Sequence, residues 1–129
     1  MKLLLDTNIL VAAVTDDSER SGAAVELLNE ADELYVSVLS LMELRSVLSK
    51  KKRFDRNRID RIEARITARA TITFLDASDM IDANQLQSET LLYPMDALIL
   101  AAADAVDATL VSFDSELVDH GAKRPADVR

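Results

Sequence analysis

The sequence predicts an α/β fold with a central parallel sheet of four to five strands flanked by helices. Short apolar runs alternate along the chain with longer segments in which apolar residues recur at helical spacing. Such alternation is typical of β–α–β units, which build parallel sheets covered on both faces. The chain has 129 residues, 49% of them hydrophobic, and we expect a single domain over residues 1–129.

The first predicted strand lies at the N-terminus. Residues 2–5 form a short apolar run that ends at the turn-favouring sequence Asp-Thr-Asn. Apolar residues then recur at helical spacing over residues 9–14 and 23–28, with the polar segment 16–18 between them. This pattern predicts two helices after the first strand.

The second predicted strand spans residues 33–38, which are rich in β-branched and aromatic side chains. Ser40 and Glu43 follow with the spacing of a capping box, which predicts a helix from about residue 40 to residue 51. The next helix, over residues 58–70, is amphipathic, with isoleucines on one side and arginines on another.

The C-terminal half continues the alternation of strands and helices. Residues 71–75 predict the third strand, and a helix follows that ends near residue 91. Pro94 is suited to the first position of the next helix, and residues 108–112 predict the fourth strand. The tail from residue 121 is the candidate for a short fifth strand at the edge of the sheet.

Composition excludes several classes of protein. Cysteine is absent, which rules out disulfides and thiolate metal sites. The longest apolar run, residues 97–103, is too short to cross a bilayer, so we expect a cytoplasmic protein. Three methionines are predicted to fill the core: Met42, Met80 and Met95.

The net charge of −8 does not favour a protein that binds nucleic acid by charge alone. Two explanations of the excess acid remain open. Some carboxylates belong to a metal site, or they are spread over the surface and retain water and ions at high salt.

Four acidic residues occur where predicted strands end or helices begin: Asp6, Glu43, Asp96 and Asp114. Ligands of parallel sheets bind outside the carboxyl ends of the strands, where these four residues are expected to meet. Each also has a structural explanation, because Asp6 and Asp114 are suited to helix caps, Glu43 to the capping box, and Asp96 to a helix dipole. Four converging carboxylates would repel one another unless a cation held them. Mg²⁺ and Mn²⁺ prefer oxygen ligands and activate water for attack on phosphodiesters.

The ordered motifs resemble the PIN-domain family along nearly the whole chain. They are Leu-Leu-Leu-Asp-Thr-Asn at residues 3–8, Glu43 within a helix, Asp-Ala-Leu-Ile at 96–99 and Val-Ser-Phe-Asp at 111–114. By this resemblance the four acids are catalytic and metal-binding, and three polar residues orient them: Thr7, Asn8 and Ser112. Where Ser112 stands the family commonly has threonine, and its sequence after the fourth acid is often longer.

The resemblance implies a Rossmann-like, three-layer fold and a Mg²⁺- or Mn²⁺-dependent ribonuclease similar to the VapC toxins of VapBC pairs. A homodimer and an inhibitory antitoxin are the implied partners. An RNA-processing PIN nuclease outside a toxin–antitoxin system and a non-catalytic RNA- or protein-binding module remain as alternatives. A haloacid-dehalogenase phosphatase is disfavoured, because Asn8 occupies the position that requires a second aspartate.

Nine of the 15 cationic residues fall between residues 50 and 69. The candidates for binding RNA or a protein partner are Lys51, Arg53, Arg61, Arg65 and Arg69. The last three recur at i, i+4 spacing, which aligns them along one helix face. A solvated helix face with local ion pairs explains the same pattern equally well.

Overall fold

The computed structural model describes residues 1–15 and 19–128. The predicted break at residues 16–18 therefore lies outside the described residues. The strands are β1 (Lys2–Leu5), β2 (Glu33–Ser37), β3 (Thr71–Thr73) and β4 (Thr109–Val111). The helices are α1 (Thr7–Thr15), α2 (Arg20–Glu30), α3 (Val38–Lys50), α4 (Arg56–Arg69), α5 (Ala77–Thr90), α6 (Pro94–Ala105), α7 (Ser115–Asp119) and α8 (Pro125–Val128).

The four strands form one parallel sheet in the order β3-β2-β1-β4, which confirms the predicted fold class. The chain extends the sheet in one direction from β1 to β3 and then adds β4 on the other side of β1. The strand order therefore reverses between β1 and β4, and a crevice is expected at the carboxyl ends of these two strands. The tail contributes a single parallel bridge, between Val111 and Lys123, in place of a fifth strand.

Two hydrophobic clusters cover the two faces of the sheet. Leu3 and Leu5 pack with α1 to α4 on one face, and Leu4 packs with α5, α6 and α7 on the other. The central strand β1 is therefore buried on both faces, which explains its continuous leucine run. The strands β3 and β4 are shorter than predicted, and both lie at the edges of the sheet, where a strand pairs on one side only.

The predicted capping box at Ser40 and Glu43 is wrong. The helix α3 begins at Val38, directly after β2, and Ser37 is its N-cap, with Oγ accepting a hydrogen bond from the Leu39 amide at 3.2 Å. Ser40 lies inside the first turn, fully buried, and its hydroxyl has no hydrogen-bond partner among the described residues. Glu43 therefore does not cap α3.

The amphipathic prediction for α4 is confirmed, because Ile59, Ile62 and Ile66 are all buried. The prediction for the methionines is wrong in two cases, since Met42 is 64% exposed and Met80 is 55% exposed. Their helices, α3 and α5, turn these side chains away from both hydrophobic clusters. No helix in the described part of the chain is both long and apolar enough to cross a bilayer.

Candidate active site

The four predicted acids lie around the carboxyl ends of β1 and β4. Asp6 directly follows β1, and Asp114 follows β4 by three residues. Glu43 lies in the second turn of α3, and Asp96 lies in the first turn of α6. The site therefore takes its residues from two strand ends and two helices on opposite faces of the sheet.

Hydrogen bonds of its amide and its carboxylate hold Asp6 in place. Its backbone amide donates to the carbonyl of Val111 in β4 at 3.0 Å. Its carboxylate accepts from the Thr7 amide at 2.8 Å and from Ser112 Oγ at 2.7 Å. Burial raises the pKa of Asp6, and repulsion from Asp114 adds to this, although the two hydrogen bonds act in the opposite direction. The hydrogen bonds that fix this carboxylate in position come from neutral groups.

Ser112 joins the two strand ends. Its hydroxyl is fully buried, donates to Asp6, and accepts from Asn8 Nδ2 at 3.2 Å and from the Asp114 amide at 3.0 Å. Asn8 also accepts from the Phe113 amide, through Oδ1 at 3.2 Å. A hydroxyl has one proton and two acceptor lone pairs, so the Ser112 side chain is fully used. It holds Asp6 and the start of the Asp114 segment in a fixed relation.

Glu43 contacts the beginning of α1. Thr7 Oγ1 donates to Glu43 Oε1 at 2.9 Å. The hydrogen bond spans 36 residues of sequence and connects α1 with α3. Within the described part of the chain, Oε2 of Glu43 has no hydrogen-bond partner.

Asp114 combines a structural role with its place at the site. It is the N-cap of α7, and Oδ1 accepts from the amides of Glu116 at 2.8 Å and Leu117 at 3.3 Å. The capping explanation therefore holds for one oxygen of this carboxylate. Within the described residues, Oδ2 accepts no hydrogen bond.

Asp96 shows most directly that the acids lie together. Burial raises its pKa to about 6, and repulsion from Asp114, Asp6, Glu116 and Glu43 contributes in that order. A helix dipole alone would lower the pKa of an acid in the first turn. The observed direction means that burial and like charges outweigh the dipole, and it adds Glu116 to the acidic cluster.

The acidic cluster suits a partly hydrated hard cation. Among residues 1–15 and 19–128, no three carboxylate or histidine side chains stand close enough to coordinate one ion by themselves. The charged groups that raise the pKa of Asp96 are nonetheless all carboxylates, and no cationic group offsets them. Mg²⁺ typically binds one or two protein carboxylates and completes its shell with water and phosphate oxygens. The residues therefore fit such an ion rather than an all-protein cage.

The predicted cationic residues lie elsewhere. Arg65 and Arg69, together with Arg58, line a cavity of about 390 Å³ between α4 and the C-terminal ends of α1 and α2. None of the four acids lines this cavity. Arg61 lies on α4 outside the lining, so the predicted i, i+4 set is only partly realised, and two other candidates, Lys51 and Arg53, are exposed in the turn after α3.

Two further arginines do contact the acidic region. Arg20 stacks over the Phe113 ring, and Arg124 donates to Ser115 Oγ. The sequence did not predict either contact. Arg20 and Phe113 are far apart along the chain, and Arg124 lies in a tail without a recognisable pattern.

Known families and solved structures share this architecture. The PIN domain family matches residues 3–123, and the chain belongs to that family. Its fold is similar to that of the toxin VapC20 of Mycobacterium tuberculosis, described as cleaving the sarcin–ricin loop, with a TM-score of 0.79, 18% identity, and coverage of 94% of this chain and 96% of that one.

Two toxin–antitoxin structures are similar as well. A toxin–antitoxin complex from Klebsiella pneumoniae gives a TM-score of 0.78 at 22% identity, covering 96% of this chain and 98% of that one. VapBC2 from Rickettsia felis, bound to a promoter DNA fragment, gives a TM-score of 0.75 at 24% identity, covering 96% of this chain and 97% of that one. No curated protein is significantly similar by sequence.

Proposed function

We propose that the protein is a metal-dependent ribonuclease that hydrolyses RNA phosphodiester bonds in the cytoplasm. The observation that carries the proposal is Asp96, whose pKa is raised to about 6 with four other carboxylates around it and no cation to offset them. Perturbed carboxylates at a strand-order reversal mark a functional site, and membership of the PIN domain family supports nuclease chemistry.

Asp6, Asp96, Asp114 and Glu43 are the proposed catalytic and metal-binding residues. Asp6 and Asp96 would hold Mg²⁺ or Mn²⁺, with Glu43 and the free oxygen of Asp114 completing the acidic surface around it. When bound, the ion supplies an activated water and neutralises charge on the phosphate. Ser112, Asn8 and Thr7 position the carboxylates through neutral hydrogen bonds, so that the negative charge needed to bind the ion is retained.

We further propose that the protein is the toxin of a toxin–antitoxin pair. Solved toxin–antitoxin complexes share its fold. The cavity beside α4 combines apolar side chains such as Val14 and Ile62 with three arginines on its lining. An antitoxin segment with apolar anchors and acidic residues would complement it.

A homodimer is the proposed assembly. Large apolar side chains on α3, α5 and the adjoining loops are 55–86% exposed: Met42, Phe74, Met80, Ile81, Leu91 and Tyr93. Contiguous apolar patches mark interaction surfaces, and five of these six side chains lie on α5 or in the loops directly beside it. Ile81→Asp, which places a charge on α5, is expected to convert the dimer to a monomer in light scattering, and a wild type that is already monomeric would refute the assembly.

The central experiment is RNA cleavage by the full chain with Mg²⁺ or Mn²⁺, before and after EDTA. Wild type is expected to cut single-stranded or structured RNA, and Asp6→Asn is expected to lose nearly all cleavage. Asp82→Asn is the matched control, because Asp82 is an exposed acid on α5. If Asp6→Asn cleaves RNA like wild type, or if EDTA has no effect, the proposed function is wrong.

A further inference from the structure

Two arginines far apart in the sequence contact the same short segment that carries Asp114. Residues 112–115 run from the end of β4 into α7. The guanidinium carbon of Arg20 lies 4.6 Å from the centre of the Phe113 ring, and Arg124 Nη2 donates to Ser115 Oγ at 3.1 Å. Phe113 and Ser115 are the two neighbours of Asp114 in the sequence, so both arginines contact the segment that carries this acid.

Most hydrogen-bonding capacity of these arginines remains unused. Stacking on a ring engages the flat face of the Arg20 guanidinium and leaves its N–H donors at the edge. Arg124 uses one of its five N–H donors on Ser115. Within the described residues, neither arginine forms an ion pair. Neither arginine is among the groups that shift the pKa values of Asp6 and Asp96, so neither compensates the charge of these two acids.

The ring that supports Arg20 is itself fixed by the active-site network. The Phe113 amide donates to Asn8 Oδ1, the side chain that also donates to Ser112. Phe113 is half-buried and packs against the cluster on the α1 and α2 face of the sheet. The position of the Arg20 guanidinium is thereby coupled to the same residues that hold Asp6.

An RNA strand needs cationic contacts at this edge of the molecule. The chain has a net charge of −8, and its acidic cluster repels phosphates that are not held by a metal ion. Three arginines of α4, Arg58, Arg65 and Arg69, line a separate cavity. Arginine presents a planar set of N–H donors that matches phosphate oxygens.

We propose that Arg20 and Arg124 bind a backbone phosphate next to the one that is cleaved, so that the RNA strand lies across residues 112–115. This inference rests on the proposed ribonuclease function and adds two substrate-binding residues to it. Since both side chains contact the Asp114 segment, they set the position of the strand relative to the acidic site and not its chemistry.

The test measures binding of a fluorescein-labelled RNA oligonucleotide that carries a site cleaved by wild type. Binding is followed by anisotropy in an Asp6→Asn background, so that the RNA stays intact. Arg20→Met and Arg124→Met are each expected to weaken binding by about tenfold, as for loss of a charged hydrogen bond. Each is also expected to reduce the slope of log affinity against log salt by about 0.7. In the active chain, KM should rise while kcat at saturation stays near the wild-type value.

Arg56→Met is the matched control, because Arg56 is an exposed arginine on α4. It is expected to bind RNA like the parent. Melting temperatures separate weaker binding from poorer folding. If Arg20→Met is destabilised, Arg20→Lys keeps the charge at the ring and should recover part of the affinity.

Oligonucleotides with one neutral methylphosphonate at a time locate the contact. One position beside the scissile phosphate should weaken binding to the parent and have no further effect on the arginine variants, since coupled changes are not additive. The inference is overturned if wild type cleaves RNA and both arginine variants bind like the parent, or if Arg56→Met loses as much affinity. A wild type that neither binds nor cleaves RNA refutes the proposed function as well.

Discussion

Two regions of the molecule differ in how their charges are compensated. One is the acidic edge, formed by Asp6, Glu43, Asp96, Asp114 and Glu116, and the other is helix α4 with the helix α3 beside it. At the acidic edge, the hydrogen bonds come from neutral groups such as Ser112 Oγ and Thr7 Oγ1, and the charges stay uncompensated. The two acids Asp60 and Glu63 of α4, by contrast, are both paired with Arg45 of α3. Uncompensated charge is costly to hold, so its retention at the acidic edge indicates a ligand, whereas paired charge mainly supports packing.

The largest effect is expected from Asp96→Asn. Removal of the central carboxylate should reduce kcat/KM for RNA by about a thousandfold or more, since bound metal ions contribute several kcal/mol to such reactions. Without metal, the same change should stabilise the fold, because it removes a charge that its neighbours repel. Urea unfolding in EDTA measures this. A variant that is less stable than wild type would contradict the idea of uncompensated charge.

Ser112→Ala is expected to have the next largest effect. It removes one hydrogen bond each from Asp6, Asn8 and the Asp114 amide, so cleavage should fall by about 10- to 100-fold, as is usual for residues that orient metal ligands. Ser112→Thr keeps the hydroxyl and should retain most activity. If the alanine and threonine variants cleave RNA equally well, the hydroxyl does not position the carboxylates.

The α4 cavity is tested by charge reversal. Arg65→Glu and Arg69→Glu should weaken antitoxin binding by about tenfold each, in line with the loss of a charged hydrogen bond. RNA cleavage by the free protein should remain unchanged, because the cavity includes none of the four acids. Arg61→Glu, also on α4 but outside the lining, is the control for titration calorimetry with the antitoxin. Equal losses for all three variants would indicate a general charge effect.

The pH dependence of stability follows from Asp96. Its folded pKa of about 6 lies above the unfolded value of 3.8, so protonation favours the folded state. The contribution is fully present below pH 3.8 and is lost as pH rises through about 6. In EDTA, wild type should therefore lose on the order of 1 kcal/mol relative to Asp96→Asn across this window, after allowance for solvent screening. Parallel curves for the two proteins would contradict the assignment.

The smallest effect is expected for the ion pairs between α3 and α4. Arg45 is 40% exposed at its side chain, and exposed pairs contribute little. Arg45→Met should lower stability by less than about 1 kcal/mol, measured by urea unfolding, with no change in cleavage. A loss of several kcal/mol would mean that paired charge in this region is as critical as the uncompensated charge at the acidic edge.

Local patterns in the sequence determined the fold class and the candidates for the site. The alternation of apolar runs with helical spacing is set by short-range geometry, which is why β1, α4 and the start of α6 at Pro94 lie where they were predicted. The acids could be proposed for a similar reason, since residues that follow parallel strands meet at one edge of a sheet. The capping box at Ser40 failed because the same spacing occurs by chance inside a helix whose start is decided by where β2 ends.

Only the tertiary structure decided which charges act together. The hydrogen bond between Ser112 and Asp6 spans 106 residues, and Arg20 meets Phe113 because α2 and the end of β4 are packed on the same face of the sheet. The cationic residues of α4 are dense in sequence, but three of them line a separate cavity. Electrostatic and hydrogen-bonding energies depend on distance in space and on burial, and neither quantity is contained in the spacing of residues along the chain.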